Sequence, residues 1–532
     1  MPHIHVSLPR YASIFGGAGF HNNEAMLMPV IEKEHFNQVL CKCYREIAPG
    51  FMRTFGGYDD WTKEAMDSFA DYYEQMQKVT DTPIYLAAAK GKVHFSEEAM
   101  REYADNVAKN LAYLYHEKGV RHLRYYCFSN EMSRGGWGDL MHDLPLFKQY
   151  HELLFAAFQK YNLPVGLLAT DASEYENWKT VDWAMENMPL ITEDYCVHIY
   201  EREHDLHDLS WYGFFYDKCA EIVSKAIRGD GKRVILGEFG IQKGTTGHLT
   251  FNGGVVIDVN RYFEDEAECA YSALMLTEMC FAAINAGMFA LAYWSYTDYP
   301  DPYSCAYSNN GGYAEKWGRA ERFISGTTDV KYNKWGLLRW DENGDHTARA
   351  PYWCLAWICK LFKKNAKVLA LASDDDLLRM SGVRTREGCT TVGIVNRHTN
   401  PTDITLDAAL FDGKPVRVYE YDPQNVPFNR FADLQAPSAT LDTHGETVTY
   451  TMPPESVIFI TSDYIEKNEP VEAENVRRED GFLLWDAVND PNHCYYRVYL
   501  DGEQIASTVA TSLPAESDGT YRVLSVDISG NI

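Results

Sequence analysis

Leu123-Arg124-Tyr125-Tyr126-Cys127-Phe128-Ser129-Asn130-Glu131 and Arg233-Val234-Ile235-Leu236-Gly237-Glu238-Phe239-Gly240 share one design. Each is a short apolar run that closes on a glutamate. A run this short, rich in β-branched and aromatic residues, reads as a buried strand of a parallel sheet. Similar runs recur through the first 365 residues, at 11–20, 51–55, 83–88, 122–128, 165–170, 194–200, 233–239 and 288–296. Helical patterns separate them. Ser96 is an N-cap, Glu97 and Glu98 follow in the first turn, and Met100, Tyr103, Val107, Leu111 and Leu114 line one face. Gly119 stops that helix. Leu146, Tyr150, Leu153, Leu154, Ala157 and Tyr161 repeat the pattern after the fourth strand. Eight such units spell an α/β chain whose strands close into a (β/α)8 TIM barrel. A doubly wound open sheet would carry a glycine-rich phosphate turn after its first strand, and Gly16-Gly17-Ala18-Gly19 is only a loose match.

The chain changes character beyond the barrel. The stretch 297–350 is long and rich in Tyr, Trp, Gly and Asn (Tyr303, Tyr307, Asn309, Asn310, Trp317, Trp335, Trp340), as expected of a functional loop on the catalytic face. A last helix starts near Pro351. Period-two patterning follows at 391–396, 416–421, 447–451 and 456–461, which indicates an all-β sandwich domain. The expected division is a barrel over 1–365, a β-sandwich over 366–465 and a small module over 466–532. That module carries Trp485, Tyr495-Tyr496-Arg497-Val498-Tyr499, Asp501-Gly502 and Gly530-Asn531, through which it resembles a fibronectin type III domain.

Composition narrows the partners. The 532 residues carry a formal charge of −27, which repels a phosphate backbone, so nucleic acid is excluded as a partner. No run is long enough to span a membrane, and the N-terminus lacks a basic region followed by an apolar one, so no membrane partner and a cytoplasmic location are expected (secreted, if a leader was trimmed). The 12 cysteines are scattered without a paired CxxC pattern, and neither a metal nor another cofactor is implied. Aromatic residues reach 14%, suited to stacking on the apolar faces of sugars.

By strand count, Glu131 and Glu238 end strands four and seven, and strand ends at the C-terminal face of a barrel point into its active site. Cleaving a glycoside needs two carboxyl groups flanking the bond, one as acid and one as nucleophile or base. Sequence gives no separation between them, so the stereochemical course stays open on this argument alone.

Asn130-Glu131 at one strand end and Glu238 within Leu236-Gly237-Glu238-Phe239-Gly240 at another resemble glycoside hydrolase clan A, with a nucleophile strand similar to that of family 5. The likeness covers roughly residues 10–365. It implies a retaining glycoside hydrolase with Glu131 as acid/base, Glu238 as nucleophile and Asn130 on the sugar 2-hydroxyl. His198-Ile199-Tyr200 matches the clan's His-x-Tyr, Arg53 a clan arginine beside the nucleophile, and Trp294 the tryptophan that floors the sugar subsite. Many members read Asn-Glu-Pro where this chain reads Asn130-Glu131-Met132; Asn-Glu-Met occurs in arabinofuranosidase families of the clan. On this reading the partner is an oligosaccharide or glycoside, and the long loop at 297–350 argues for exo action. Glu131 should be kept protonated, and Glu238 should stay ionised beside Arg53 and Tyr200.

Other strand ends offer His21, Asn22, Lys90 and Asp171 as further sugar-binding candidates. His21, His198 and Asp171 could instead serve a metal-dependent barrel hydrolase, although the first strand lacks the His-x-His such sites use. A catalytically silent sugar-binding barrel is the remaining alternative.

Overall fold

The change of apolar period along the chain becomes a change of architecture. The computed structural model describes residues 2–22, 33–78, 80–88, 93–132, 139–202, 210–242, 266–300, 332–333, 336–339, 346–466, 470–515 and 517–532. The first strands are β1 (His3–Phe15), β2 (Gly17–His21), β3 (Phe51–Phe55), β4 (Ile84–Ala87), β5 (Leu123–Cys127), β6 (Gly166–Ser173), β7 (Asp194–Arg202), β8 (Val234–Gln242) and β9 (Ala290–Tyr293). Strands β2 to β9 form a closed parallel barrel, with β9 paired back onto β2. This is the expected (β/α)8 architecture.

The strand expected over 11–20 is in fact two. The chain breaks at Gly16, and β1 leaves the barrel to run antiparallel to Ala366–Ser373 and, at His3 and Ile4, parallel to Thr402–Asp407. Its first residues alternate polar and apolar (His3, Ile4, His5, Val6), the period of a sheet with one buried face, whereas every residue of β2 is buried. Residues expected with the barrel therefore belong to the second sheet.

Barrel side chains alternate between the interior and the helix layer. Phe51, Phe55, Tyr85, Tyr125, Cys127, Leu168, Cys196 and Ile235 fill the interior, while Met52, Ile84, Leu86, Tyr126 and Leu236 pack outward against helices. The helices start where their caps dictate. Ser96 Oγ accepts from Ala99 N at 3.3 Å, Thr62 Oγ1 from Ala65 N at 3.2 Å and Asp143 Oδ1 from Leu146 N at 3.0 Å.

The second unit is a nine-stranded sheet. Strands from opposite ends of its order, Val416–Tyr421 and Thr447–Met452, place Val418 and Val448 in one apolar cluster, so the sheet folds over a single core. It is fastened to the barrel helix Glu266–Ala286 by the buried Arg397–Glu278 ion pair, at 2.6 Å, and to the helix Ala350–Leu361 by Trp357 stacked on Tyr419 at 4.0 Å. The C-terminal module has a four-stranded and a three-stranded sheet around Trp485, Tyr496, Val498 and Val523.

One buried charge network ties all three units together. Lys42 Nζ lies 2.6 Å from both Glu46 Oε2 and Asp433 Oδ1, Arg497 Nε lies 3.0 Å from Asp433 Oδ2, and Tyr495 donates to Glu46 at 2.9 Å. Lys42, Glu46 and Asp433 are almost wholly buried, so removing the cation strands two carboxylates in a low dielectric. Lys42→Met should cost roughly 3–5 kcal/mol, the scale for breaking one partner of a buried pair. Lys63→Met, which removes an exposed i,i+4 pair with Asp67, should leave the midpoint almost unmoved, because solvent screens that pair. Denaturant midpoints of the two variants compare these costs directly; equal shifts would show that the network does not hold the units.

Candidate active site

Strand parity and its interruptions assemble the site. In β7, Cys196, His198 and Tyr200 share the inward parity. In β8, Ile235 points inward and Leu236 outward, so strict alternation would turn Glu238 toward the helices. A β-bulge between Leu236 and Phe239 re-aims it. Gly237 makes the bulge possible, because a Cβ there would collide with Cys196 Sγ and stand 3.1 Å from His198 Nε2. Two further acidic residues of this site sit at left-handed backbone positions, Glu131 with φ 45° and Asp171 with φ 58°. Such positions are sparsely used by residues with a Cβ and concentrate at functional sites.

Arg53, fully buried on β3, is the hub. Its Nη1 donates to Glu238 Oε1 and lies 3.0 Å from His21 Nδ1. Its Nη2 donates to Asn130 Oδ1 at 2.6 Å and Asp171 Oδ2 at 2.8 Å. Tyr200 OH donates to Glu238 Oε2 at 2.7 Å. His198 Nε2 bonds Asp171 Oδ1 at 2.9 Å, while its Nδ1 lies 3.6 Å from both Glu131 Oε1 and Glu238 Oε2. Carboxylate oxygens of Glu131 and Glu238 come within 4.8 Å of one another. The Trp294 ring packs 4.3 Å from His21 and 5.6 Å from Phe55.

The structure thus gathers Glu131, Glu238, Asn130, Arg53, His198, Tyr200, His21 and Asp171 into one cluster, with Trp294 against it. Asn22 lies apart. Its amide exchanges hydrogen bonds with Tyr72 OH at 2.9 and 3.2 Å, in the helix layer. Lys90 and most of the aromatic stretch 297–350 lie outside the described residues. Tyr85, which the sequence reading passed over, donates to Asp171 Oδ1 at 2.6 Å. Its inward parity beside Arg53's strand was the available signal.

Charge counting explains the protonation. Burial works against the Arg53 cation, but Asp171 and Glu238 hold its pKa well above the usual value. Burial likewise pulls the His198 imidazole down, and Asp171 and Glu238 outweigh it, holding the group up at about 9. Burial would raise Asp171, yet His198 and Arg53 keep it far below the ordinary carboxylate range. Burial pushes Glu238 upward; Arg53 and His198 oppose this, and the neighbouring Glu131 adds to it. Arg53 and Tyr200, on which the expectation of an ionised Glu238 rested, therefore work against its burial and against Glu131. Two cations face three carboxyl groups, and the cluster is neutral when the two glutamates share one proton. Glu238 accepts from a guanidinium and a phenol, and both favour its ionised form against the burial that raises it.

A metal fits this donor set poorly. Asp171, Cys196 and His198 lie within ligand distance of one another, as do Glu131, His198 and Glu238. The carboxylates beside His198 favour its imidazolium, burial favours the protonated Cys196 thiol, and Arg53 already pairs with both Asp171 and Glu238.

Among solved structures, the fold is similar to the catalytic domain of the GH30 xylanase C from Talaromyces cellulolyticus, with a TM-score of 0.57 at 12% identity over 86% of this chain and 99% of that one. It is also similar to a GH51 arabinofuranosidase from Xanthomonas axonopodis pv. citri, with a TM-score of 0.57 at 12% identity over 87% of this chain and 100% of the other. A third likeness is to an endo-β1,6-glucanase, with a TM-score of 0.55 at 12% identity over 87% and 94% of the two chains. At such identities the shared property is the fold, a β/α barrel joined to a β-rich unit. No protein-family model and no curated protein matches the sequence.

Proposed function

We propose that this chain is a retaining glycoside hydrolase, with Glu238 as nucleophile and Glu131 as acid/base. The observation that carries the reading is the approach of the two carboxyl groups, oxygens within 4.8 Å, at the mouth of one barrel. Retaining pairs stand about 5–5.5 Å apart, whereas inverting pairs need about 6.5–9.5 Å to admit a water. Glu238 attacks the anomeric carbon as the glycosidic C–O bond breaks, and Glu131 passes its proton to the departing oxygen. Glu131, now ionised, takes a proton from water, which displaces Glu238 and returns the sugar with its original configuration. Arg53 occupies the Asn130 carbonyl oxygen, which leaves the amide NH2 group to donate to the sugar 2-hydroxyl. Trp294 offers its ring as the floor.

Exo action on short oligosaccharides or glycosides belongs to the same proposal, supported by the length and aromatic content of 297–350. The module from 466 onward is read as fibronectin type III-like, supported by its Trp485–Tyr496 core, and is assigned no chemistry.

The test is a panel of aryl α- and β-glycosides. It should include xylosides, arabinofuranosides and glucosides, because the similar structures are a xylanase, an arabinofuranosidase and a glucanase. Proton NMR of the first-formed sugar reads its configuration. Turnover with retention supports the reading, and inversion overturns it. Saturable binding without turnover would favour a silent sugar-binding barrel.

A further inference from the structure

Asp171 has no surface left for a sugar. It is fully buried, and both of its oxygens are engaged: Oδ1 by Tyr85 OH at 2.6 Å and His198 Nε2 at 2.9 Å, Oδ2 by Arg53 Nη2 at 2.8 Å. These partners come from three different strands, β4, β7 and β3. Two of them reach the proposed reacting groups directly. Arg53 binds Glu238, and His198 Nδ1 stands 3.6 Å from one oxygen of each glutamate. The proposed mechanism gives His198 no proton to move, yet its ring lies between the two carboxyl groups.

We propose that Asp171 is a positioning residue: it anchors an imidazolium at His198 between Glu131 and Glu238, and through that cation sets the pH range in which the glutamates share one proton. This rests on the glycosidase reading and extends it. The groups facing His198 are Asp171 from β6, Glu131 beyond β5 and Glu238 from β8. Arg53 and Tyr85 act on it through Asp171, and Cys196 neighbours it on its own strand. An adjacent carboxylate favours the imidazolium, and an adjacent imidazolium favours an ionised glutamate. The sign follows. Without the Asp171 charge His198 loses its proton at lower pH, the glutamates lose a cation, and the ionisation of Glu238 that forms the acid limb moves to higher pH.

The test is Asp171→Asn in the full chain. Its kcat/KM acid limb should shift up by about one unit, with kcat down roughly tenfold or more and KM within about twofold. Asp171→Glu, which restores the charge, should bring the limb back toward its original position. Histidine-labelled NMR on the resting protein gives a readout that needs no turnover: one imidazole stays protonated well above pH 7 in the parent and titrates lower in Asp171→Asn. If Asp171→Asn fails to fold, Tyr85→Phe takes a hydrogen-bond donor from the carboxylate without removing its charge, so the His198 imidazole should titrate higher and the acid limb move lower, each by less than the Asp171→Asn shift. A raised KM with unchanged kcat and an unmoved limb would overturn the proposal in favour of a sugar contact. An unmoved imidazole titration would overturn it even if the glycosidase reading holds. Absence of turnover in the parent counts against the glycosidase reading, and the imidazole titration then judges the Asp171–His198 anchor separately.

Discussion

Glu238→Gln should abolish turnover while leaving the protein folded and able to bind. The amide is close in shape to the carboxyl but has no charge and no free nucleophilic oxygen, so the covalent step is lost and kcat/KM falls by about 10⁴–10⁶-fold, the scale for removing a nucleophile. Arg53 keeps Asp171 as a partner at 2.8 Å, so the buried guanidinium is not stranded and the fold survives. The charge count changes as well. With Glu238 neutral, the cations Arg53 and His198 face only Asp171 and Glu131, which favours ionised Glu131. The variant therefore loses the acid along with the nucleophile, and no change of pH should restore the rate. Steady-state assays on an aryl glycoside, thermal melts and titration calorimetry with the product sugar read rate, fold and binding separately. A residual rate within about a hundredfold of the parent would remove Glu238 from the nucleophile's role.

The barrel was legible because its evidence is local. Each apolar run such as 51–55 or 194–200 declares a buried strand on its own, and Ser96 and Gly119 punctuate a helix without reference to anything distant. The division of 11–20 at Gly16 was not legible in the same way. Whether β1 stays in the barrel depends on its pairing with Ala366–Ser373, more than 350 positions later, and the one local mark of it, the alternation at His3–Val6, lies outside the run 11–20. The buried network of Lys42, Glu46, Asp433 and Arg497 was invisible for the same reason: each charge reads as a solvated residue until three units are brought together.

The site divides along a similar line. Arg53, His198, Glu238 and Glu131 could be proposed because each stands at the end of an apolar run. Asp171 could be seen as a strand-end acid, but its three contacts, and so its unavailability to a sugar, required the closed barrel. Asn22 looked equivalent to His21 beside it, and a one-residue step along a strand sends adjacent side chains to opposite faces: His21 toward Arg53, Asn22 toward Tyr72. The bulge at Gly237 is the subtler case. Counting parity from Ile235 would have turned Glu238 away from the site, and only the Gly before it hints that the count is interrupted.

Glu131→Ala should separate the two halves of the reaction. For a substrate with a poorly activated leaving group, the first step loses its proton donor and should slow by about 10²–10⁴-fold, the range for general acid catalysis. A dinitrophenolate departs without protonation, so with that substrate kcat/KM, which reports the first step, should stay within about tenfold of the parent. The second step still lacks its base. The glycosyl ester on Glu238 should then accumulate, visible as a burst of phenolate equal to the enzyme concentration and as a lowered KM. Azide carries its own charge and needs no base, and the truncated side chain leaves room beside the ester. Adding it should raise kcat on the dinitrophenyl substrate and yield a glycosyl azide of retained configuration. Both carboxyl groups lie about equally near His198, at 3.6 Å, so the proposed division of roles rests on the hydrogen bonds from Arg53 and Tyr200 to Glu238. If Glu131→Ala instead loses activity equally on activated and unactivated substrates, with no burst and no response to azide, the two roles have been given to the wrong residues.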